Sequence, residues 1–514
     1  PCGTLFPYTT LFRSLHSDQV LLSMMAYPQH WKNESLIKVG HPQLKKLLNV
    51  SGSHATFADF SRGTDQEYIL AEYVNRAYQK KPVNRNKFDN EVIKVHERVH
   101  LCNLIFTTRI LKIFPLPGEP NHEWLDPTRV SNRFEDKDSL YVNKIVPLYL
   151  QTLREAEKTG DWDEAGMYLQ SMKDFQQKYA SQILPSKREV NLEIWYYDLN
   201  IFYKLFKIYG LIGIILLIIQ FIQVLTGGWD LKKLWKVAFF IMLVLFVFHT
   251  AGLAMRWIIS GHAPWSNGYE ALTYISWATI LAGLIFSFKS EFTLTATLIL
   301  SSLILHVAHL SWMDPAITQL VPVLRSYWLV IHVAVITASY SFLGMGAVLA
   351  VINLILMNFR TEKNDYRIQS KTIELSRIIE LSIIIGLYLL VTGTMLGAVW
   401  ANQSWGRYWA WDPKETWALI TILVYSVILH LRVVPGMINI YTLNLLSVIG
   451  FGSVIMTYFG VNYYLSGMHS YAQGDPLPIP PFLYYALVTL LILAIFSYVN
   501  YKKFNKNTVV SNQK

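Results

Sequence analysis

Trp400, Trp405, Trp409 and Trp411 stand with Asp412 in one stretch, WANQSWGRYWAWDPKE (400–415), and Trp417 follows two residues later. The chain has 16 Trp in all, so five within 18 residues is a concentration. Trp gathers at membrane–water boundaries, which accounts for one or two at a helix end. That belt does not account for four in one segment with Gly406, Tyr408 and a lone acid. A flat apolar platform with few polar handles suits a large planar ligand. Asp412 fits better as an acceptor of backbone or indole N–H bonds than as a general acid. Arg407 reads equally as the partner of an anionic group on the ligand and as a solvated charge. Residues 1–200 offer no catalytic constellation, and no residue is assigned a catalytic role.

Histidines flank the tryptophans in sequence: His332 in SYWLVIHV and His469 in YYLSGMHSY. Each alone would ordinarily be structural. With an aromatic platform between them they suit haem, whose iron takes two axial ligands and commonly takes imidazole. His430 comes 14 residues after Thr416, about 21 Å along a helix at 1.5 Å per residue. An ionisable residue inside a span is a functional candidate. A histidine that snorkels or bonds a neighbouring helix is the equal alternative. His249, His306 and His309 also fall in apolar runs and read as helix–helix hydrogen bonders.

The elements that must carry these residues are membrane helices. From Tyr203 onward nine apolar runs are each long enough to cross hydrocarbon: 203–226, 237–259, 271–288, 293–311, 328–357, 379–399, 416–431, 442–465 and 482–500. Only helices satisfy the backbone of such runs in lipid. The fold class expected is an all-α polytopic membrane protein, about nine transmembrane helices preceded by a mostly helical extracytoplasmic domain, divided at 1–200 and 201–514. Helical patterns recur in the first part at Asn90–Ile110, Val142–Glu157 and Trp162–Tyr179. The last two read as a generic helical hairpin.

Charge orients the bundle. Residues 1–200 hold 25 Lys+Arg against 24 Asp+Glu, and residues 201–514 hold 20 against 11. One set of loops and the tail, from Lys232 to Lys514, carries 14 basic residues; the other carries Arg256, Arg325, Arg407 and Lys414. The first set is expected to be cytoplasmic, because basic loops stay inside. The tryptophans, His332, His469 and residues 1–200 then lie on the outer face. Basic residues scattered between apolar runs argue against nucleic acid as a partner. Two cysteines, Cys2 and Cys102, are too few for a disulfide framework or a redox pair. The chain starts at Pro1, and its first 14 or so residues lead into no readable element, so it reads as a piece of a longer protein.

WGRYWAWDPKETW resembles the Trp-rich signature of haem-handling membrane proteins, most closely the CcsA/ResC type of system II cytochrome c synthase. The resemblance extends over residues 203–514 through RWIISGHAPWSNGYEAL (256–272), SYWLVIHV (326–333), HLR (430–432) and GVNYYLSGMHSY (460–471). Residues 1–200 resemble the end of the extracytoplasmic part of a CcsB/ResB-type partner, so the chain is similar to a fusion of the two.

This resemblance implies a protein of the bacterial inner membrane that moves haem b to the periplasmic face. There it would attach the haem to the Cys-X-X-Cys-His motif of apocytochrome c, a lyase activity making thioether bonds. The family's two external ligands fall on His332 and His469, and one of its transmembrane ligands on His430. The other transmembrane ligand belongs to an earlier span, so activity is expected to need an N-terminal part absent here. Thiol-reducing proteins are implied as further partners. The alternatives are a haem exporter without attachment chemistry and an electron-transfer membrane subunit; the latter would need histidine pairs facing each other across spans.

Overall fold

Backbone in hydrocarbon must satisfy its own hydrogen bonds, and every apolar run does so as a helix. The computed structural model describes residues 17–511 apart from 63–66, 81–84, 120–121, 129–132, 135, 229, 311–312, 318–319, 321–325, 435–438 and 466–480. Among the described residues nine helices are long and apolar enough to cross a membrane. The all-α polytopic class expected from hydropathy is the class observed. The strands described are three two-residue antiparallel ladders: Ile37–Lys38 with His54–Ala55, Ser61–Arg62 with Glu67–Tyr68, and Phe114–Pro115 with Trp124–Leu125.

The chain packs as two units, Pro1–Ser186 and Lys187–Lys514. In the first, the helix Lys87–Phe106 begins at a capping box in which Asn86 and Asp89 each accept the other's backbone N–H. Val92, Val95, Val99 and Cys102 are buried along one face of it, at helical spacing. This helix stops four residues before the expected Ile110, because Thr108 turns to φ +57°. The hairpin of Asp136–Thr159 and Asp163–Ala180 follows, broken at Gly160 (φ +79°).

The second unit opens with a helix Lys187–Leu199 and continues with α1 (Ile201–Thr226), α2 (Lys232–Ser260), α3 (Gly268–Phe286), α4 (Glu291–Ala308), α5 (Tyr327–Asn358), α6 (Asp365–Trp405), α7 (Pro413–His430), α8 (Ile440–Ile455) and α9 (Pro481–Ser511). Burial sorts them. In α3 and α5, 78% of the most apolar window is buried inside the protein, against 28% in α2 and 11% in α9. The first two are therefore the interior of the bundle and the last two face outward.

Helices in lipid associate through close packing rather than through expulsion of water, so small residues gather where backbones touch. Gly393 of α6 lies against α5 so closely that a Cβ there would come 2.9 Å from Ile336 Cα. Polar side chains bridge the rest. His249 is fully buried, with Nδ1 3.3 Å from Tyr209 Oη of α1 and Nε2 3.1 Å from Thr273 O of α3. Both of its ring nitrogens are engaged in joining three helices. Asn353 of α5 donates to Asn444 Oδ1 of α8 and to Ser376 Oγ of α6, both at 3.1 Å.

One difference from the sequence expectation matters for the site. The sixth helix was expected over 379–399 but runs 41 residues, Asp365–Trp405. WANQSW contains no breaker, so the helix continues until Gly406 takes φ +71° and ends it. Trp400 and Trp405 therefore sit on the last turns of a helix, not in a loop.

Candidate functional site

Among the described residues six chain segments converge at one end of the bundle: the entry to α3, Leu320 between α4 and α5, the start of α5, the end of α6 with its connection to α7, the start of α7, and the end of α8. They enclose a cavity of about 410 Å³ whose exposed wall is mainly apolar, within the usual size range of ligand sites. Its lining includes Trp265, His332, Trp400, Trp405, Trp409 and Lys414.

His332 is fixed by α6. Its Nδ1–H donates to Gly393 O at 2.7 Å. In a neutral imidazole that bond leaves the lone pair on Nε2, the arrangement found in metal-ligating histidines. Gly397, one turn on from Gly393, makes room for the ring, since a Cβ there would stand 2.6 Å from His332 Cε1. Trp400 lies nearly parallel to the imidazole, 9° between planes and 6.4 Å between centroids. Trp405 meets Trp400 edge-on at 4.7 Å.

The connection from α6 to α7 is held from below. Asp412 is the N-cap of α7: it accepts from Lys414 N at 3.1 Å and forms a capping box with Glu415. Glu415 Oε2 also accepts from Ala410 N at 2.8 Å. Trp411 takes φ +58°, a conformation uncommon for a bulky residue, and this turns the chain into the cap. Asp412 is buried but does not line the cavity; its carboxylate shapes the loop. Trp409 and Trp411 pack edge-on at 5.8 Å, yet only Trp409 lines the cavity, while Trp411 is 70% exposed.

The far wall comes from α8, which passes into a π turn, Met456–Gly460, and a last helical turn, Val461–Tyr464. Such turns are rare and concentrate at functional sites. Thr457, Tyr458 and Asn462 of this stretch line the cavity.

The expected site residues are thus partly assembled. His332, Trp400, Trp405 and Trp409 share one cavity, with Asp412 and Trp411 beside it. His430 is at the opposite end of α7, about 25 Å away at 1.5 Å per residue, and exposed, with Nδ1 2.7 Å from Ser426 O. His469 lies outside the described residues. Arg407 is exposed and not part of the lining.

Three features were not anticipated. Lys414 and Asn462 face the cavity, with Lys414 Nζ donating to Asn462 Oδ1 at 3.1 Å. Trp265 lines it and donates from Nε1 to Val330 O at 3.0 Å. Behind that rim Arg256 and Glu270 form an ion pair at 2.8 Å, 0% and 1% exposed. Arg256 also donates to Pro315 O, Ala316 O and Tyr196 Oη, and Glu270 accepts from Ser266 N and Oγ. The sequence signal was available: two lone opposite charges 14 residues apart in an otherwise apolar and aromatic stretch.

Fold and site together define a polytopic helical membrane protein with an aromatic cavity, carrying a histidine, at one end of its bundle. The family described as "Cytochrome C assembly protein" matches residues 265–469, a span that contains most of the cavity lining. The cytochrome c biogenesis protein CcsA of Prochlorococcus marinus is 36% identical over 266 residues, covering 86% of that protein and 46% of this chain. CcsA of Guillardia theta is 35% identical over 242 residues, 80% of its length. The chain belongs to this cytochrome c assembly family. Protein NrfI of Wolinella succinogenes is 39% identical over 469 residues, 91% of this chain, so that likeness reaches well into the first unit. The chain spans about half the length of NrfI, 51%. The N-terminal extension beyond the CcsA-like part is consistent with a fusion to a CcsB-like part.

Proposed function

We propose that the protein works in cytochrome c biogenesis as a haem-delivering and haem-attaching unit, holding haem b as substrate in the cavity at the Trp-rich end. The observation that carries this reading is the pairing of His332, its Nδ1 occupied by Gly393 O, with an indole-lined cavity of matching character. The residues present fit the group. An imidazole is presented for iron, the indole faces of Trp400, Trp405 and Trp409 bury apolar ring area at roughly 25 cal/mol per Å², and Gly397 makes the room in which the His332 ring sits. His469 is the proposed second axial ligand. With two imidazoles on the iron, both faces are closed until the client's own histidine displaces one.

The attachment adds a client thiol across a vinyl group: sulfur bonds to one vinyl carbon, the thiol proton goes to the other, and no oxidant is consumed. The protein's contribution is positioning, which alone can lower a barrier substantially. The thiols come from the Cys-X-X-Cys-His motif of apocytochrome c. Cys102 is unsuited to this chemistry, because burial pushes its thiol up to about 11. Charge asymmetry between the loops supports a bacterial cytoplasmic membrane location with the cavity on the periplasmic side. Residues 1–200, as the partial partner-type domain, and the thiol-reducing proteins that keep the client reduced belong to the same proposal.

The test is spectroscopic and chemical together, on the full-length protein. His332→Ala is expected to shift bound haem to a high-spin spectrum, reversed by added imidazole. Trp405→Ala or Trp409→Ala is expected to lower both bound haem and covalent cytochrome c. Unchanged spectra in His332→Ala and full haem occupancy in both Trp variants would overturn the reading. Full occupancy of wild type with no covalent product from a reduced apocytochrome would reduce it to haem export.

A further inference from the structure

Haem b is an amphiphile: an apolar ring with two propionates on adjacent pyrroles and two vinyl groups on the other pair. A site that encloses the ring must also meet at least one carboxylate, because an ionised group in an apolar wall is strongly disfavoured without a partner. Most polar groups of the cavity wall already serve the helices. Asn267 caps α3 by accepting from Glu270 N. Thr337, Thr394 and Thr457 donate to carbonyls of their own helices. Tyr458 Oη donates to Gly268 O. Glu415 is taken up by the backbone of the Trp segment.

Lys414 is different. It is the one Lys or Arg among the described residues that line the cavity. Its ammonium has three donors, and the bond it makes is to a neutral acceptor, Asn462 Oδ1 at 3.1 Å. Among the described residues no carboxylate lies within salt-bridge distance of its Nζ, although Asp412, two residues before it, attracts the ammonium from farther off. It stands on the first turn of α7, where backbone N–H groups add positive potential. A second donor lines the same wall: Trp409 Nε1 is buried and has no hydrogen-bond partner among the described residues. The exposed Arg407 is not part of that wall.

We propose that Lys414 binds a propionate of the haem substrate, with Trp409 Nε1 as an auxiliary donor, and thereby selects the orientation of the ring. This rests on the haem reading of the cavity given above. Because the vinyl groups are on the pyrroles away from the propionates, anchoring a propionate at the start of α7 turns the vinyl-bearing edge away from that helix. Lys414 is in this sense a positioning residue: it touches the substrate but not the bond that forms.

The experiment compares haem with its dimethyl ester, which has the same ring, iron and vinyl groups but no carboxylate. Binding of each is titrated to the full chain in detergent. Wild type is expected to prefer haem by about tenfold, the effect of one charge-assisted hydrogen bond. Lys414→Gln should abolish the preference by weakening haem alone, while Lys414→Arg should keep it. The Soret position should be the same in all three, since iron ligation is untouched. A wild type that binds the ester as tightly as haem overturns the proposal whatever the variants do. So does a Lys414→Gln protein that retains the full preference or weakens both ligands equally. A wild type that binds neither compound sinks the haem reading itself, and this proposal with it.

Discussion

His332 owes its position to two glycines on a neighbouring helix. Gly393 supplies the carbonyl that orients the ring, and Gly397 supplies the space beside it. Neither is visible as a site residue in sequence, because each acts through what it lacks or through its backbone. A Cβ on Gly397 would overlap the imidazole at 2.6 Å, and the ring cannot retreat without breaking its bond to Gly393. Gly397→Ala is therefore expected to move His332 and give the spectrum of His332→Ala, at a stability cost of about 1–3 kcal/mol for overpacking. A wild-type Soret band in that variant would mean that the orientation of His332 does not govern ligation. Asp412 shows the reverse case: its place in the aromatic cluster draws attention, and the structure employs it as a helix cap.

Among the elements, the connection from α3 back to α2 is the one whose role was least visible. Arg256 was counted with the outer charges that orient the bundle, yet it is completely buried and gathers four partners around the cavity rim. Breaking a buried pair by removing one charge is far worse than replacing both members, because the remaining ion is left without compensation. Glu270→Gln should thus lose about 3–5 kcal/mol of stability, while Arg256→Met with Glu270→Leu should lose less. Thermal melts of the purified protein would decide it; equal losses in the single and double variants would deny the pair its role as an electrostatic unit. The end of α6 makes a related point. Hydropathy falls at Trp400, so the pattern suggests a loop, but hydrogen-bonded helix persists until Gly406 adopts a left-handed turn.

At the scale of the whole molecule the cavity and His430 occupy opposite ends of α7. On the proposed haem route from the basic side to the aromatic side, His430 would be an early stop that depends on a second ligand elsewhere. His430→Ala in the full-length protein is expected to lower haem in the cavity several-fold while leaving the spectrum of the remaining haem as in wild type. Undiminished haem content would remove His430 from the route. The electron-transfer alternative would need histidines with a ring nitrogen to offer across the spans, and His249 does not supply one. His249, the most buried of the histidines within the spans, has both ring nitrogens engaged by Tyr209 and Thr273.

Span number, helix order and the clustering of tryptophans are carried by composition over about 15–25 residues, and these local properties make the class of protein legible in the sequence alone. His332 is singled out in the sequence as a candidate together with His469, on either side of the tryptophans, and the structure puts it in the wall of the aromatic cavity. Which indoles face inward was not legible. Trp409 lines the cavity while Trp411, two residues on, is exposed, because a positive φ at Trp411 rotates the chain between them. Nor did spacing distinguish Lys414 from Arg407, seven positions apart with one on a helix start and the other in a loop. Convergence of side chains from six segments depends on helix rotation and approach, which small residues and buried hydrogen bonds set between elements distant in sequence, and only the tertiary structure contains that information.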